Sequence, residues 1–137
     1  MNVLITAGGT QEPIDGVRFL SNVSTGTTGL ALARTLSGHG WNVTLLHARN
    51  LDVHGISVNT RPFRTFDDLQ AALKEILENQ HVDIVIQLAA VGDYHLATIE
   101  VDGKPLPADG SGKIGSGHDL TLKLRPNPKL IDSLRQW

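Results

Sequence analysis

The 137-residue sequence contains no cysteine. That excludes disulfides, a thiolate metal site and a cysteine nucleophile, and it fits a reducing compartment. Charge of either sign is not in excess: the formal net charge is -2. A basic surface of the kind that holds nucleic acid is therefore not expected. No apolar run approaches the roughly 20 residues that span a bilayer. The N-terminus enters a strand-like run directly, with neither the basic segment nor the apolar stretch of a secretory signal. These absences read as a cytoplasmic protein with no membrane and no nucleic-acid partner. Repeats and low-complexity tails are also missing. The six histidines show no metal-ligand spacing and read as structural or exposed, so no metal site is expected among the side chains.

What is present suits one domain able to bury a real core. Val3 to Thr6 is a short apolar run ending in Gly8-Gly9, the pattern of a buried parallel strand. Gly26 to Leu36 reads as a helix, with Ser24 or Thr25 as N-cap and Gly38 or Gly40 as stop. Asn42 to Ala48 reads as a second strand and Ser57 to Pro62 as a weaker third. Thr65 and Asp68 form a capping-box pattern. Leu69, Ala72, Leu73, Ile76 and Leu77 then share one helical face. Val82 to Leu88 is another strand. Alternating strands and helices predict an α/β fold, a Rossmann-like parallel sheet with helices on both faces. Asp102-Gly103 signals a hairpin, and Ala108 to Asp119 is Gly- and Ser-rich, predicting a flexible loop. Leu120 to Leu124 alternates as a strand. Asn127 and Pro128 predict the cap and first residue of a last helix.

One connection is far too long for this fold. A dinucleotide-binding sheet turns from first strand to first helix within a few residues, and here the link takes eighteen, Gly8 to Thr25. Ligands of open α/β sheets bind beyond the carboxyl ends of the strands, and both this link and "LAAVGDY" after the fourth strand end on that edge. Gly8 and Gly9 allow close approach of backbone to a ligand. Arg18 suits a carboxylate or phosphate, and Asn22 offers an amide donor and an acceptor. Ser24, Thr25 and Gly26 place N–H groups and small side chains at a helix N-terminus, a ready anion site. Asp93 is the acid near the end of the fourth strand, and Lys113 lies in the Gly-rich loop, where it can close over an anion. Each has a plainer reading: a glycine turn, a surface charge, a loop residue bonding its own backbone, a turn cap, a solvated lysine. Spacing alone supports a nucleotide- or phosphate-binding edge and no particular reaction.

Taken together the motifs are more specific. "VLITAGGTQEPIDGVRFLSNVSTGTTGLALA" closely resembles the opening of phosphopantothenate–cysteine ligases, also called phosphopantothenoylcysteine synthetases. "LAAVGDY" resembles that family's A-A-V-x-D-Y segment, and "GKIGS" followed by "LTLKLRPNPKLI" its Lys-Ile loop, next strand and helix start. The motifs stand in family order along the whole chain. The resemblance implies a coenzyme A synthesis enzyme that uses CTP or ATP, with Mg²⁺, to activate 4′-phosphopantothenate as an acyl-nucleotide, after which the amine of L-cysteine attacks. It implies that Asn22 holds the acyl-nucleotide and that Arg18 orders the loop and its substrate. Gln87, Leu88, Ala89 and Asp93 would contact the nucleotide and Lys113 its phosphates. Pro128, Lys129, Leu130 and Ile131 would present a helix start to the triphosphate. It further implies a homodimer and no flavin in this domain.

Departures from the family are visible. Thr27 stands where flavin-fused members carry a lysine, and "KIGS" is less basic than their run; Lys129 and the serine after the Lys-Ile pair look more like stand-alone ligases. Family domains are also longer, so residues 1–137 read as a single ligase-like nucleotide-binding domain that is C-terminally incomplete. Two alternatives stay open. One is a nucleotide- or phosphopantothenate-binding module without turnover. The other is a nicotinamide-dependent short-chain reductase, against which the chain has no Tyr-x-x-x-Lys pair, since Tyr94 is followed by Thr98.

Overall fold

A computed structural model describes residues 1–107 and 110–137. In chain order the elements are β1 (Asn2–Ala7), β2 (Gln11–Pro13), β3 (Phe19–Ser21), α1 (Thr27–Gly38), β4 (Asn42–Ala48) and β5 (Asn59–Phe63). There follow α2 (Phe66–Asn79), β6 (Ile84–Gln87), β7 (Tyr94–Val101), β8 (Lys104–Leu106), β9 (Leu120–Pro126) and α3 (Leu130–Ser133). The expected α/β architecture is present. β5, β4, β1 and β6 form a parallel sheet in that order. The chain steps outward from β1 to β4 and β5, then returns to the other side of β1 with β6. The order therefore reverses between β1 and β6, the place where such sheets bind ligands.

Side-chain alternation along β1 decides which helix covers which face. Leu4 joins Leu46 of β4 and the α2 residues Leu69, Leu73 and Ile76. Val3, Ile5 and Ala7 join Val43, Leu45 and the α1 residues Leu30 and Ala33 on the opposite face. Residues one apart on a strand point to opposite sides, so one apolar run supplies two cores. The Thr65–Asp68 capping box forms: the Asp68 N–H donates to Thr65 Oγ1 at 3.1 Å, and Asp68 Oδ2 accepts from the Thr65 N–H at 3.0 Å. The strand read over residues 57–62 lies at Asn59–Phe63. No helix among the described residues is long and apolar enough to cross a membrane.

Two local readings change. α1 is capped by Gly26, in left-handed backbone with φ 66°, rather than by Ser24 or Thr25. A glycine takes that conformation without Cβ strain, and Thr25 Oγ1 instead meets Thr27 Oγ1 at 3.0 Å. The last helix starts at Leu130 after Lys129, not at Pro128. Asn127 does not cap it, because its side chain is used elsewhere: Nδ2 donates to the Gly92 carbonyl at 2.9 Å and Oδ1 faces His95 Nδ1 at 2.8 Å. The Asp102-Gly103 hairpin forms as expected, with φ 50° and 75°, the positive-φ pair of a tight turn; with β9 its strands β7 and β8 make a separate antiparallel sheet.

Candidate functional site at the β1–β6 switch point

The long connection after β1 is a hairpin. β2 and β3 pair antiparallel with Gln11 opposite Ser21 and Glu12 opposite Leu20. Alternation then puts Thr10, Glu12, Leu20 and Asn22 on one side of this ribbon. The ribbon is stitched to the segment after β6. Gly9 bridges Ala90, the Ala90 N–H donates to the Gly8 carbonyl at 2.8 Å, and the Gly92 N–H donates to Thr10 Oγ1 at 2.9 Å. Asn22 Nδ2 donates to the Val91 carbonyl at 3.1 Å. Gly9 has a steric reason: a Cβ there would lie 2.5 Å from the Asn22 carbonyl oxygen. Any side chain at position 9 would push Asn22 away from the sheet edge.

Arg18 is committed to the loop that carries it. Asp15 is 1% exposed, and its carboxylate accepts from the N–H groups of Val17, Arg18 and Ile114 and from the Arg18 guanidinium. Burial alone would raise the Asp15 carboxyl. The N–H groups of Val17 and Ile114, the Arg18 guanidinium and the Arg18 N–H outweigh it and hold it well below the usual carboxylate range. Arg18 also donates to the Ile114 carbonyl, and the Gly16 N–H donates to the Gly112 carbonyl at 2.7 Å. The Gly-rich loop expected to be flexible is therefore anchored at Gly112 and Ile114, with Ile114 buried beside Leu96 and Ile99. Ala108 and Asp109, the start of that expected flexible stretch, lie outside the described residues. Exposed Lys113 sits between the two anchors.

The fourth-strand candidates divide. The N–H groups of Leu88 and Ala89 both donate to Thr6 Oγ1, at 3.1 and 3.0 Å. Gln87 pairs with Thr6 in the sheet, and both its side-chain amide atoms are buried without a hydrogen-bond partner. Asp93 forms an exposed ion pair with Lys129 at 2.5 Å, so two sequence candidates meet each other. Leu130 is a core residue of the α2 face, and Ile131 is exposed. Pro128 lines a neighbouring cavity with Glu12, Phe66 and His95. Ser24 is half-buried and Thr25 exposed in the stretch before α1.

A cavity of about 340 Å³ lies where these segments converge, lined by Thr10, Glu12, Asn22, Gly92 and Asp93 together with Tyr94 and Leu124. Arg18, Lys113 and Gln87 are not among its walls. Glu12 lines both this cavity and the neighbouring one, and its Oε1 accepts from the Phe66 N–H at 2.7 Å. Burial pushes the Glu12 carboxyl above its usual value; the Phe66 N–H opposes this, Asp67 and Asp68 add to it, and His95 opposes it.

A family model described as the DNA/pantothenate metabolism flavoprotein C-terminal domain matches residues 1–136. The chain belongs to this family. It is 36% identical over 135 residues to the coenzyme A biosynthesis bifunctional protein CoaBC of Escherichia coli strain K12, covering 96% of this chain and 30% of that protein. It is 32% identical over 134 residues to the protein of the same name from Thermococcus kodakarensis, covering 98% and 30%. The chain thus spans 30% of the length of each of these relatives. The solved structure of the DNA/pantothenate metabolism flavoprotein from Streptococcus pneumoniae matches with a TM-score of 0.81 at 26% identity, over 100% of this chain and 65% of that one.

Glu12, Thr10 and Asp15 were not singled out from the sequence of this family member. A signal was present: Asp15-Gly16 is a turn dipeptide between two short β-compatible runs. Read that way, "TQEPIDGVRFLSN" is a hairpin whose alternation places Glu12 with Asn22.

Proposed function

We propose that the protein is a nucleotide-dependent ligase of coenzyme A biosynthesis, joining 4′-phosphopantothenate to L-cysteine through an acyl-nucleotide. The observation that carries this reading is the convergence of Asn22 and Asp93 on one cavity at the switch point. Membership of the family, with coenzyme A biosynthesis proteins among its relatives, supports it. CTP or ATP is the co-substrate. The carboxylate of phosphopantothenate attacks the α-phosphate and pyrophosphate leaves; the cysteine amine then displaces the nucleoside monophosphate. Asn22 spends one N–H on Val91 and keeps a second for the oxyanion of the acyl centre. The backbone at Gly8 and Gly9, the start of α1 from Ser24 to Gly26, and the segment from Gln87 to Ala89 receive the nucleotide. Lys113 and Lys129 neutralise its phosphates. Mg²⁺ in such reactions rides on the phosphates with one or two carboxylates, and Asp93 at the cavity fits that part. The working form is a cytoplasmic homodimer.

The test is an assay with phosphopantothenate, L-cysteine, Mg²⁺ and either CTP or ATP. Pyrophosphate and the amide should appear together; no pyrophosphate with either nucleotide refutes the ligase. A second reading, a binding module without turnover, has one observation in its favour. Arg18 and Lys129, cations the chemistry would draw on, are already paired with Asp15 and Asp93. Calorimetric binding of nucleotide or phosphopantothenate with no pyrophosphate release would select it.

A further inference from the structure

We propose that Glu12 is the catalytic carboxylate that receives the attacking amine, holding its ammonium in the cavity and taking its proton. The inference rests on the ligase reading and adds a residue to it. An amino acid carries a protonated amine near neutral pH, and its lone pair is unavailable until a base removes a proton. Of the two carboxylates that line the cavity with Asn22, Asp93 is held by Lys129. Glu12 is oriented by a single contact, from the Phe66 N–H to Oε1. Among the described residues no hydrogen bond reaches its second oxygen, which is left for a ligand. The β2–β3 register fixes Glu12 and Asn22 on the same side of the ribbon, so base and acyl-holding residue are placed by one backbone unit.

The surroundings suit a cation. Asp67 and Asp68 of α2 and His95 of β7 are the groups whose charge acts on Glu12; Asp93 shares the cavity with its charge already offset by Lys129. Asp68 is occupied by the N–H groups of Arg64 and Thr65. Burial shifts Glu12 toward the basicity a proton acceptor needs near neutral pH. The step balances as follows. The ammonium gives one proton to the Glu12 carboxylate, and its lone pair forms the C–N bond to the acyl carbon. The C–O bond to the nucleotide phosphate breaks, the nucleoside monophosphate leaves with that electron pair, and the second nitrogen proton passes to solvent. A purely structural role would use Glu12 only as a second cap of α2. Glu12→Gln separates the two, since the amide oxygen still accepts from Phe66.

In the full-length protein, pyrophosphate–nucleotide exchange driven by phosphopantothenate reports the first half-reaction without cysteine. Amide formation in a single turnover reports the second. Glu12→Gln should leave exchange unchanged and slow amide formation from cysteine by about 10²–10⁴-fold. Hydroxylamine, largely unprotonated at neutral pH, should react with the variant at the wild-type rate, and Glu12→Asp should recover part of the cysteine rate. The proposal is overturned if cysteine reacts normally, if hydroxylamine is slowed as much as cysteine, or if exchange falls with amide formation, through misfolding or otherwise. Absence of exchange in the wild type would instead refute the ligase reading itself, and this proposal with it.

Discussion

Among the described residues, ten buried ones form the core on the α2 face of the parallel sheet and seven the core on its α1 face, whereas the cluster at the antiparallel sheet of β7, β8 and β9 has three, Leu96, Ile99 and Ile114. Ile114 is not even part of that sheet; it comes from the loop that Asp15 and Arg18 hold. The antiparallel unit is held by the β2–β3 hairpin and its loop, through the Asp15 clamp and Ile14 packing on Ile99's cluster, and by Leu130, which follows β9 and is buried in the α2-face core. The candidate cavity lies along this seam, with Thr10, Glu12 and Asn22 from the hairpin and Asp93, Tyr94 and Leu124 from the other side. Its geometry depends on how a well-buried unit grips a thinly buried one. Local stability follows buried apolar contact, so the second unit should open first.

The largest expected effect tests that contrast directly. Leu73→Ala removes a fully buried side chain between α2 and the sheet, and should cost about 2–5 kcal/mol of global stability. Ile99→Ala should cost a similar amount but locally. Amide exchange should rise across β7 to β9 while Leu4 and Leu45 stay protected. Equal loss of protection in both sheets would make the molecule one cooperative unit and break the comparison.

Next in size is a test of whether the hairpin carries the chemistry. On the proposed ligase reading, Asn22→Ala removes one preorganised donor, and amide formation should fall on the order of 100-fold or more. Nucleotide binding should change little. Unchanged turnover at saturating substrates would take Asn22 out of the reaction.

Acid should release the seam before the parallel sheet. The folded Asp15 carboxyl lies below its unfolded value, so its contribution is complete above the ordinary aspartate pKa of about 3.9 and is lost as pH falls below it. Pepsin should then cut near Ile114 while the parallel sheet resists. Asp15→Asn should make that site cleavable at all pH values where pepsin acts. Cleavage unaffected by the substitution would show that something else holds the loop.

The smallest effect lies away from the seam. Thr65→Ala removes the side-chain acceptor for the Asp68 N–H and should lower the melting transition by the equivalent of about 1 kcal/mol. Because Glu12 also accepts from the Phe66 N–H, the loss should be less than the same substitution produces at a helix with one cap. A larger loss would mean that Thr65 also steadies the hairpin through Glu12.

The elements that were legible are those whose signal is local. Asn42–Ala48 is predicted residue for residue because Val43, Leu45 and Leu46 form a short β-compatible stretch between Gly40-Trp41 and Arg49-Asn50. α2 is legible from its capping box and its single apolar face. By residue type Ser24 or Thr25 is the expected cap of α1, but Leu51 and Gly8 crowd position 26 and left-handed glycine does the capping. Asn127 is an expected helix cap for the same reason. The competing partners, Gly92 and His95, are 35 and 32 residues away.

By itself the sequence determined the strand–helix alternation, the two-faced core of β1, the Asp102-Gly103 turn and the motifs that mark the family. These rest on periodicity and turn chemistry, which act over a few residues. Only the tertiary structure decided that Lys129 meets Asp93 and that Ile114 pins the Gly-rich loop against Asp15, whereas Arg18 and Asp15 meet within one turn, three residues apart. Lys129 lies 36 residues from Asp93 and Ile114 lies 99 from Asp15, so each pair meets only once the chain has folded. An unpaired buried charge or polar group is costly, so the final pairing follows what is near in space, whatever the residue's motif suggests.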